Sequence, residues 1–299
     1  MWEAGLRDEL SGLEHMRKRE KLAIILAIIC GFIIIFPATY FAGMLGLEML
    51  SIFISAAGGW GVYFILKPKG YHSHYKEKII SVLIGKTKYK WAYDFSYTNA
   101  QEIFIQSGLY YSSITSFKTD DTFSAQNGAD LRMAEIEAVR GRGKNRQVIF
   151  KGLLFSFDIS RIFRGETYIR SNKGMGFVIP MGTKSSRTFF SSTVKSTDLE
   201  WNDFEKLLDV QTTDEIEARE ILDPQFMHIL YEWWKDHKKL MRISFRGQHV
   251  YVAIPSWKDM FEPSPFSSVE SHKKRLWTYL DAFLLAERLF VQIEHKYGK

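Results

Sequence analysis

The sequence predicts an α+β protein: an N-terminal two-helix transmembrane hairpin followed by a cytoplasmic domain with antiparallel β-sheet and flanking helices. Three observations carry this expectation. From Leu22 to Leu66 a single charge, Glu48, occurs in forty-five residues. After residue 130, apolar runs and alternating segments flank glycine-containing turns, the texture of strands and hairpins. From residue 212 onward, capping signatures and apolar stripes at spacings of three and four return, the texture of helices.

The apolar stretch must fold back. At about 1.5 Å per residue, one helix of that length would far exceed a hydrocarbon core of about 30 Å. The break falls at residues 42–48, around Gly43 and Gly46, which leaves spans at about 22–41 and 49–66. Helices satisfy their own backbone groups in lipid, and Pro37 is expected to bend the first span without ending it. Ser51, Ser55 and Gly59 recur every four residues on one face of the second span, and small residues at that spacing let helix backbones approach closely. Two partners fit that face: the first span of the same chain, or a second copy in a homo-oligomer. Neither span carries a buried ionisable residue, which argues against a transporter or proton relay.

Charge sets the orientation. Arg17-Lys18-Arg19-Glu20-Lys21 precede the first span, the connecting loop has no basic residue, and seven lysines follow the second span by residue 90. Basic residues near span ends stay on the cytoplasmic side, so both termini are expected there. Residues 1–21 read as an amphipathic cytoplasmic helix, with Trp2, Leu6, Leu10, Leu13 and Met16 along one stripe. It either runs into the first span or lies in the headgroup layer. Residues 67–90 form a basic juxtamembrane segment of net charge +6, whereas residues 91–299 carry only +1. A nucleic-acid reader concentrates its charge on the folded domain, so nucleic acid is not an expected partner. The bilayer is, and an unknown protein partner is compatible. Lys67, Lys69, Lys86, Lys88 and Lys90 are the candidate lipid or anion contacts. Arg142 and Lys144, in a basic turn at 140–146, are either a second such contact or a solvated loop tip. The lone Cys30 lies inside the first span and allows no intrachain disulfide.

Residues 91–299 make up the predicted cytoplasmic α+β domain. Short helices are expected at 75–84, just before it, and at 99–106. Strands follow at 131–140 and 147–158 around Gly141-Arg142-Gly143-Lys144-Asn145, and further strands near 166–170, 176–180, 192–195 and 204–210. Thr212-x-x-Glu215 reads as a capping box, and Asp223-Pro224 as an N-cap with proline at the first helical position. A helix through about residue 238, a hairpin turning at Arg246-Gly247-Gln248 and a long helix at about 268–295 complete the chain. Phe155, Ile243, Val252 and Phe283 are expected to be buried together.

Chemistry is scarcely legible. The glycines at 174–182 followed by Thr183-Lys184 break the phosphate-loop spacing. His72-Ser73-His74 has no carboxylate or cysteine nearby in sequence. Asp120-Asp121, Glu135 and Glu137 read as solvated or strand-face carboxylates, and Trp233-Trp234 as core and rim. No catalytic, metal or cofactor-binding residue is assigned, and no cofactor is expected.

Five ordered segments carry a resemblance: residues 151–158 (Lys-Gly-Leu-Leu-Phe-Ser-Phe-Asp), Phe163-Arg164-Gly165-Glu166-Thr167, Asp214 to Pro224, Ile243-Ser244-Phe245 with Tyr251-Val252-Ala253-Ile254-Pro255, and Phe261 to Phe266. With the apolar hairpin, over roughly residues 10–270, the chain resembles a bacterial membrane-protein family known as domain of unknown function 3137. Asp223 stands where the resemblance leads one to expect threonine, a change that keeps an N-cap. The resemblance implies a bacterial cytoplasmic-membrane protein and no reaction. The expected function is a membrane-anchored, non-catalytic binding or scaffolding protein presenting its domain at the inner leaflet. The alternative is a membrane-bound enzyme acting on a lipid or nucleotide through a site assembled only in the fold.

Overall fold

A computed structural model describes residues 2–44, 48–94, 97–110, 113–126, 130–171, 195–197, 199, 201–237, 240–256, 261–267 and 269–297. The side chains of residues 2–11, 48, 79, 82–83, 195 and 269–275 are not among those described. The chain divides into two compact units, Met1–Val82 with Phe261–Leu276, and Leu83–Met260 with Trp277–Lys299.

In the first unit, α1 (Trp2–Met44) and α2 (Glu48–Leu66) pair antiparallel. The predicted N-terminal helix and first span are one continuous helix, since residues 17–25 contain only good or tolerable helix formers and no breaker. Pro37 sits inside α1 without ending it, and Thr39 Oγ1 donates to the Ile35 and Phe36 carbonyls at 2.8 Å. The helices touch through the small residues of α2. Ser55 Oγ donates to the Gly31 carbonyl at 2.5 Å, and a Cβ added at Gly59 would lie 2.8 Å from the Ala27 carbonyl oxygen. Both helices are long and apolar enough to cross a membrane, over Gly12–Met44 and Met49–Leu66. Phe32, Ile33, Phe36, Phe53, Trp60 and Ile65 point outward and are exposed.

Near the polar end of this pair, Arg17 grips Glu14 through two hydrogen bonds and donates to the Pro265 carbonyl at 2.6 Å. The buried Glu20 accepts from the Tyr63 hydroxyl at 3.2 Å. In α3 (Tyr71–Ile84), His72 lies 3.4 Å from Glu20 and 3.3 Å from Glu262. Local sequence offers His72 no carboxylate; the fold brings two.

The strands described in the second unit form one antiparallel nine-stranded sheet in the order β1-β2-β3-β4-β9-β8-β5-β7-β6. These are β1 (Trp91–Tyr93), β2 (Ser116–Ala125), β3 (Leu131–Arg140), β4 (Gln147–Asp158), β5 (Thr167–Ser171), β6 (Lys195–Ser196), β7 (Leu208–Thr212), β8 (Arg242–Arg246) and β9 (His249–Pro255). The β3–β4 hairpin turns through a 3-10 segment at Gly143–Asn145. The β8–β9 turn uses Gly247 at φ +60°, which a side chain would strain. The helices α4 (Ala100–Gln106), α6 (Glu215–Ile221), α7 (Pro224–His237) and α8 (Val269–Tyr297) agree with the expected ones.

Three expectations change. Residues 204–210, expected as a strand, begin as helix α5 (Asn202–Leu207) and only then enter β7. Phe204, Leu207 and Leu208 fit a helical spacing as well as a strand, and Asp203 and Glu205 in the first turn favour the helix end. Thr212 does not cap a helix. It ends β7, where its hydroxyl bonds Thr167 Oγ1 at 2.9 Å, and Asp214 is the cap, accepting from the Glu217 N–H at 3.0 Å. Strands β1 and β2 were not expected, because β1 has three residues and β2 presents a polar run, Lys118 to Thr122, with no clean alternation. The N-cap at Asp223 agrees, accepting from the Phe226 N–H at 2.8 Å. The expected strand at 176–180, residues 192–194 and the glycine-rich stretch at 174–185 lie outside the described residues.

Both faces of the sheet are covered. On one, Phe155, Val252 and Ile243 form a cross-strand row, and the Phe283 ring of α8 meets Phe155 at 5.4 Å and Trp91 at 4.9 Å. All four residues of the predicted core are buried. On the other face α4 packs Ile103 and Phe104 over Ala134, Ile136, Phe150 and Leu154.

Candidate functional site

The register of three adjacent strands builds a polar cleft where this second core ends. Ser156 on β4 pairs laterally with Arg132 on β3 and Tyr251 on β9, and Asp158 pairs with His249, with Asp130 on the β3 side. Side chains two residues apart along a strand share a face, so these two rows extend the Ala134–Leu154–Ala253 row beyond the apolar core. Asn99, Ile103 and Gln106 of the α4 segment roof them, enclosing a cleft of ≈ 120 Å³.

The Asp158 carboxylate is hydrogen-bonded to His249 Nδ1, and Arg132 lies 3.2 Å from Asp130 and against the face of Tyr97. Tyr97 and Ser156 share a buried hydrogen bond of 3.1 Å. Burial, and then the neighbouring charge of Asp158, raise the Asp130 carboxyl above its usual range. Burial likewise pushes the Tyr251 hydroxyl up to about 12, with Asp158 adding to the effect. Such a site can hold a polar ligand by hydrogen bonds and charge, or position a proton. Among the described residues, no group of three or more His, Cys, Asp or Glu is placed to hold a metal ion. Sequence reasoning missed every residue of this cleft. The one usable signal was parity: Arg132, Ser156 and Tyr251 lie an even number of residues from apolar positions on the same strands.

The candidate lysines fall elsewhere. Lys67 lies at the end of α2 with its ammonium 4.6 Å from the Phe64 ring centroid, and Lys69 is exposed just beyond. Lys86, Lys88 and Lys90 are exposed in the segment entering β1, and the Lys90 carbonyl accepts from the Gln126 N–H at 3.0 Å. This places them at the end of the sheet where β3 begins, the end that also carries Asp130 and Arg132. Arg142 and Lys144 are exposed at the far end of β3, eight residue steps or about 26 Å from Arg132 at ~3.3 Å per step. The two basic groups therefore do not form one patch. Ser51, Ser55 and Gly59 are buried in the first unit, with Ser55 and Gly59 against α1. Glu137 pairs with Arg146 and Lys151 beside the turn, and Glu135, expected as a solvated or strand-face carboxylate, is a buried residue of β3. Trp233 is buried and stacked on His237, with Trp234 at the rim.

The segments that carried the family resemblance meet one another. Glu217, fully buried, accepts from the Arg164 and Gly165 N–H groups at 3.0 and 2.8 Å and from Arg161 at 3.2 Å. A Cβ at Gly165 would lie 2.7 Å from Thr213 Oγ1, so residues 163–167 and 214–224 close on each other only through glycine. At Gly152, with φ +150°, a Cβ would lie 2.3 Å from the Ile254 carbonyl oxygen, which ties β4 to β9 in the same way. These segments are structural joints rather than cleft residues, apart from Ser156, Asp158 and Tyr251.

Fold and site together define an α+β sheet domain with a small polar cleft, in a chain that also carries a pair of long apolar helices. Residues 148–292 match the model of the family described as Protein of unknown function (DUF3137), so the family resemblance is borne out over those residues. The match leaves out the apolar helices and extends further toward the C-terminus than the resembling segments. No curated protein matches the chain. Among solved structures, the crystal structure of the mycobacterial trehalose monomycolate transport factor A, TtfA, is similar at a TM-score of 0.35 and 10% identity, over 73% of this chain and 95% of that one. A likeness at that score carries no functional inference.

Proposed function

We propose that the chain is a membrane-anchored, non-catalytic binding protein. It holds its sheet domain at the inner leaflet of a bacterial cytoplasmic membrane with both termini cytoplasmic. The outward-facing apolar side chains of α1 and α2 are the observation that carries this reading, because an exposed apolar surface of that extent is costly in water and at home in lipid. The bias of basic residues toward both outer ends of the pair supports the orientation. In intact cells, with Cys30 replaced by serine, a cysteine at Met44 should react with an impermeant thiol reagent and one at Asn145 should not. Labelling at Asn145 alone would reverse the orientation, and labelling at both would remove the anchor.

Lys86, Lys88 and Lys90 are the groups proposed to touch anionic headgroups, at roughly 1 kcal/mol each near a charged surface. A fragment beginning at His72 should sediment with anionic vesicles more than with neutral ones, and less so at high salt. Replacing the three lysines with glutamine should weaken binding by about two orders of magnitude. Replacing Arg142 and Lys144 should change it little, because they lie at the other end of β3. Equal binding to neutral and anionic vesicles would leave the lysines as a topology signal only.

The alternative, an enzyme acting on a lipid or nucleotide, draws support from one observation: convergent polar groups in the cleft with a perturbed Asp130. A ligand recovered unchanged from the protein supports binding, and a converted one supports the enzyme.

A further inference from the structure

We propose that the turn at residues 264–267 is a further membrane contact, with the Phe266 ring seated in the headgroup layer beside the apolar helix pair. The inference rests on the anchored reading above and adds a lipid-binding surface outside α1 and α2. A lone exposed apolar side chain is ordinary on any protein surface. Phe266 differs in how it is displayed and in where it is held.

The display is local. Residues 261–267 belong to the same compact unit as α1 and α2. Phe261 and Pro263 are buried and fix the start of the segment. The Ser267 N–H then donates to the Ser264 carbonyl at 3.2 Å, closing a four-residue turn. Proline at the second position pre-sets the backbone for such a turn, so Pro265 holds Phe266 at its tip at little entropic cost. Phe266 is 63 % exposed there.

Arg17 sets the depth. Its guanidinium donates to the carbonyl of Pro265, the residue directly before Phe266, at 2.6 Å. Arg17 stands five residues before Leu22, where the uncharged stretch begins, or about 7.5 Å along the helix at ~1.5 Å per residue. The headgroup layer on each side of the hydrocarbon core is about 5–8 Å deep. The second helix gives the same level independently: the Tyr63 hydroxyl bonds Glu20 at 3.2 Å, and α2 ends at Leu66. Glu262, 3.3 Å from His72, ties the segment to the start of α3 as well. Segments lying on a bilayer bury aromatic and aliphatic side chains about 5–10 Å into this boundary. Lipid, rather than a protein, is the occupant, because the turn is held a turn or two of helix from Leu22, Ile65 and Leu66, where the exposed apolar surface of the pair begins.

The test places one nitroxide at a time on the full-length protein, with Cys30 replaced by serine, in phospholipid nanodiscs. Phe266→Cys, Phe36→Cys and Asn145→Cys carry the labels, and each is compared for access to lipid-soluble oxygen and to a water-soluble nickel chelate. Phe36→Cys, at an outward position of α1, is the lipid reference, and Asn145→Cys, at the β3–β4 turn, is the water reference. The oxygen-to-nickel ratio at 266 is expected severalfold above that at 145 and below that at 36. A ratio at 266 equal to that at 145 overturns the proposal while leaving the anchor intact. Low access to both agents at 266 overturns it in favour of a protein contact. A water-like ratio at 36 means that the anchor itself fails, and the proposal with it. Should Phe266→Cys not fold, Phe266→Trp asks the same question. The emission it adds over the parent should be quenched by lipids brominated near the headgroup, and unquenched emission overturns the proposal.

Discussion

Phe283→Ala is expected to destabilise the sheet domain by about 3–5 kcal/mol, the usual cost of removing a buried phenylalanine. The ring is 2 % exposed and joins the two ends of the core. It meets Trp91 of β1 at 4.9 Å, Phe155 of β4 at 5.4 Å and Phe123 of β2 at 6.0 Å, each edge-on. Edge-to-face pairs contribute about 0.5–1.5 kcal/mol each beyond burial, so the loss falls at the upper end of that range. Far-UV circular dichroism during denaturation of the full-length protein checks it. An unchanged midpoint would mean that α8 does not hold the sheet, and the assignment of this core would be wrong.

Glu287→Ala should cost about 3 kcal/mol by a different mechanism. Its carboxylate is 3 % exposed and accepts three hydrogen bonds: the Lys88 N–H at 3.0 Å, the Tyr89 N–H at 3.0 Å and Trp91 Nε1 at 2.9 Å. Hydrogen bonds to a charged group contribute about 1.5–3 kcal/mol each and are not additive when they share an acceptor. The same contact fixes the segment carrying Lys88 and Lys90 onto α8. Amide exchange at Lys88 and Tyr89 should therefore rise sharply in Glu287→Ala and less in Glu287→Gln, which keeps one acceptor oxygen. Unaltered exchange at both amides would show that the segment is held by other means.

Glu217 works by the same logic: a buried carboxylate joins residues that the sequence keeps far apart. Its partners Arg164 and Gly165 lie more than fifty positions upstream, in another of the segments that carried the family resemblance. Those segments are recognisable because they form the joints of the fold, where glycine is required by close backbone approach and glutamate by unpaired N–H groups. Recognising them identified the domain without indicating a ligand.

The sequence by itself determined whatever depends on near neighbours along the chain. The apolar helix pair, the β3–β4 and β8–β9 hairpins, the Asp223 cap and the stripe of α8 all follow from composition, period or turn chemistry within a few residues. Even the core residues Phe155, Ile243, Val252 and Phe283 were legible, because each sits on a strand or helix whose apolar face is written locally. Where local signals were equal, as at 204–210, or too short and polar, as in β1 and β2, the reading failed. Only the tertiary structure decided the cleft. Asp158 and His249 are separated by 91 positions, and no periodicity links them. What unites them is register: a slip of one residue between β4 and β9 would turn His249 and Tyr251 to the opposite face. Register also set the basic turn at the far end of β3, away from Lys86, Lys88 and Lys90. Local pattern specifies which face of a strand is buried, and long-range pairing specifies which polar residues end up side by side.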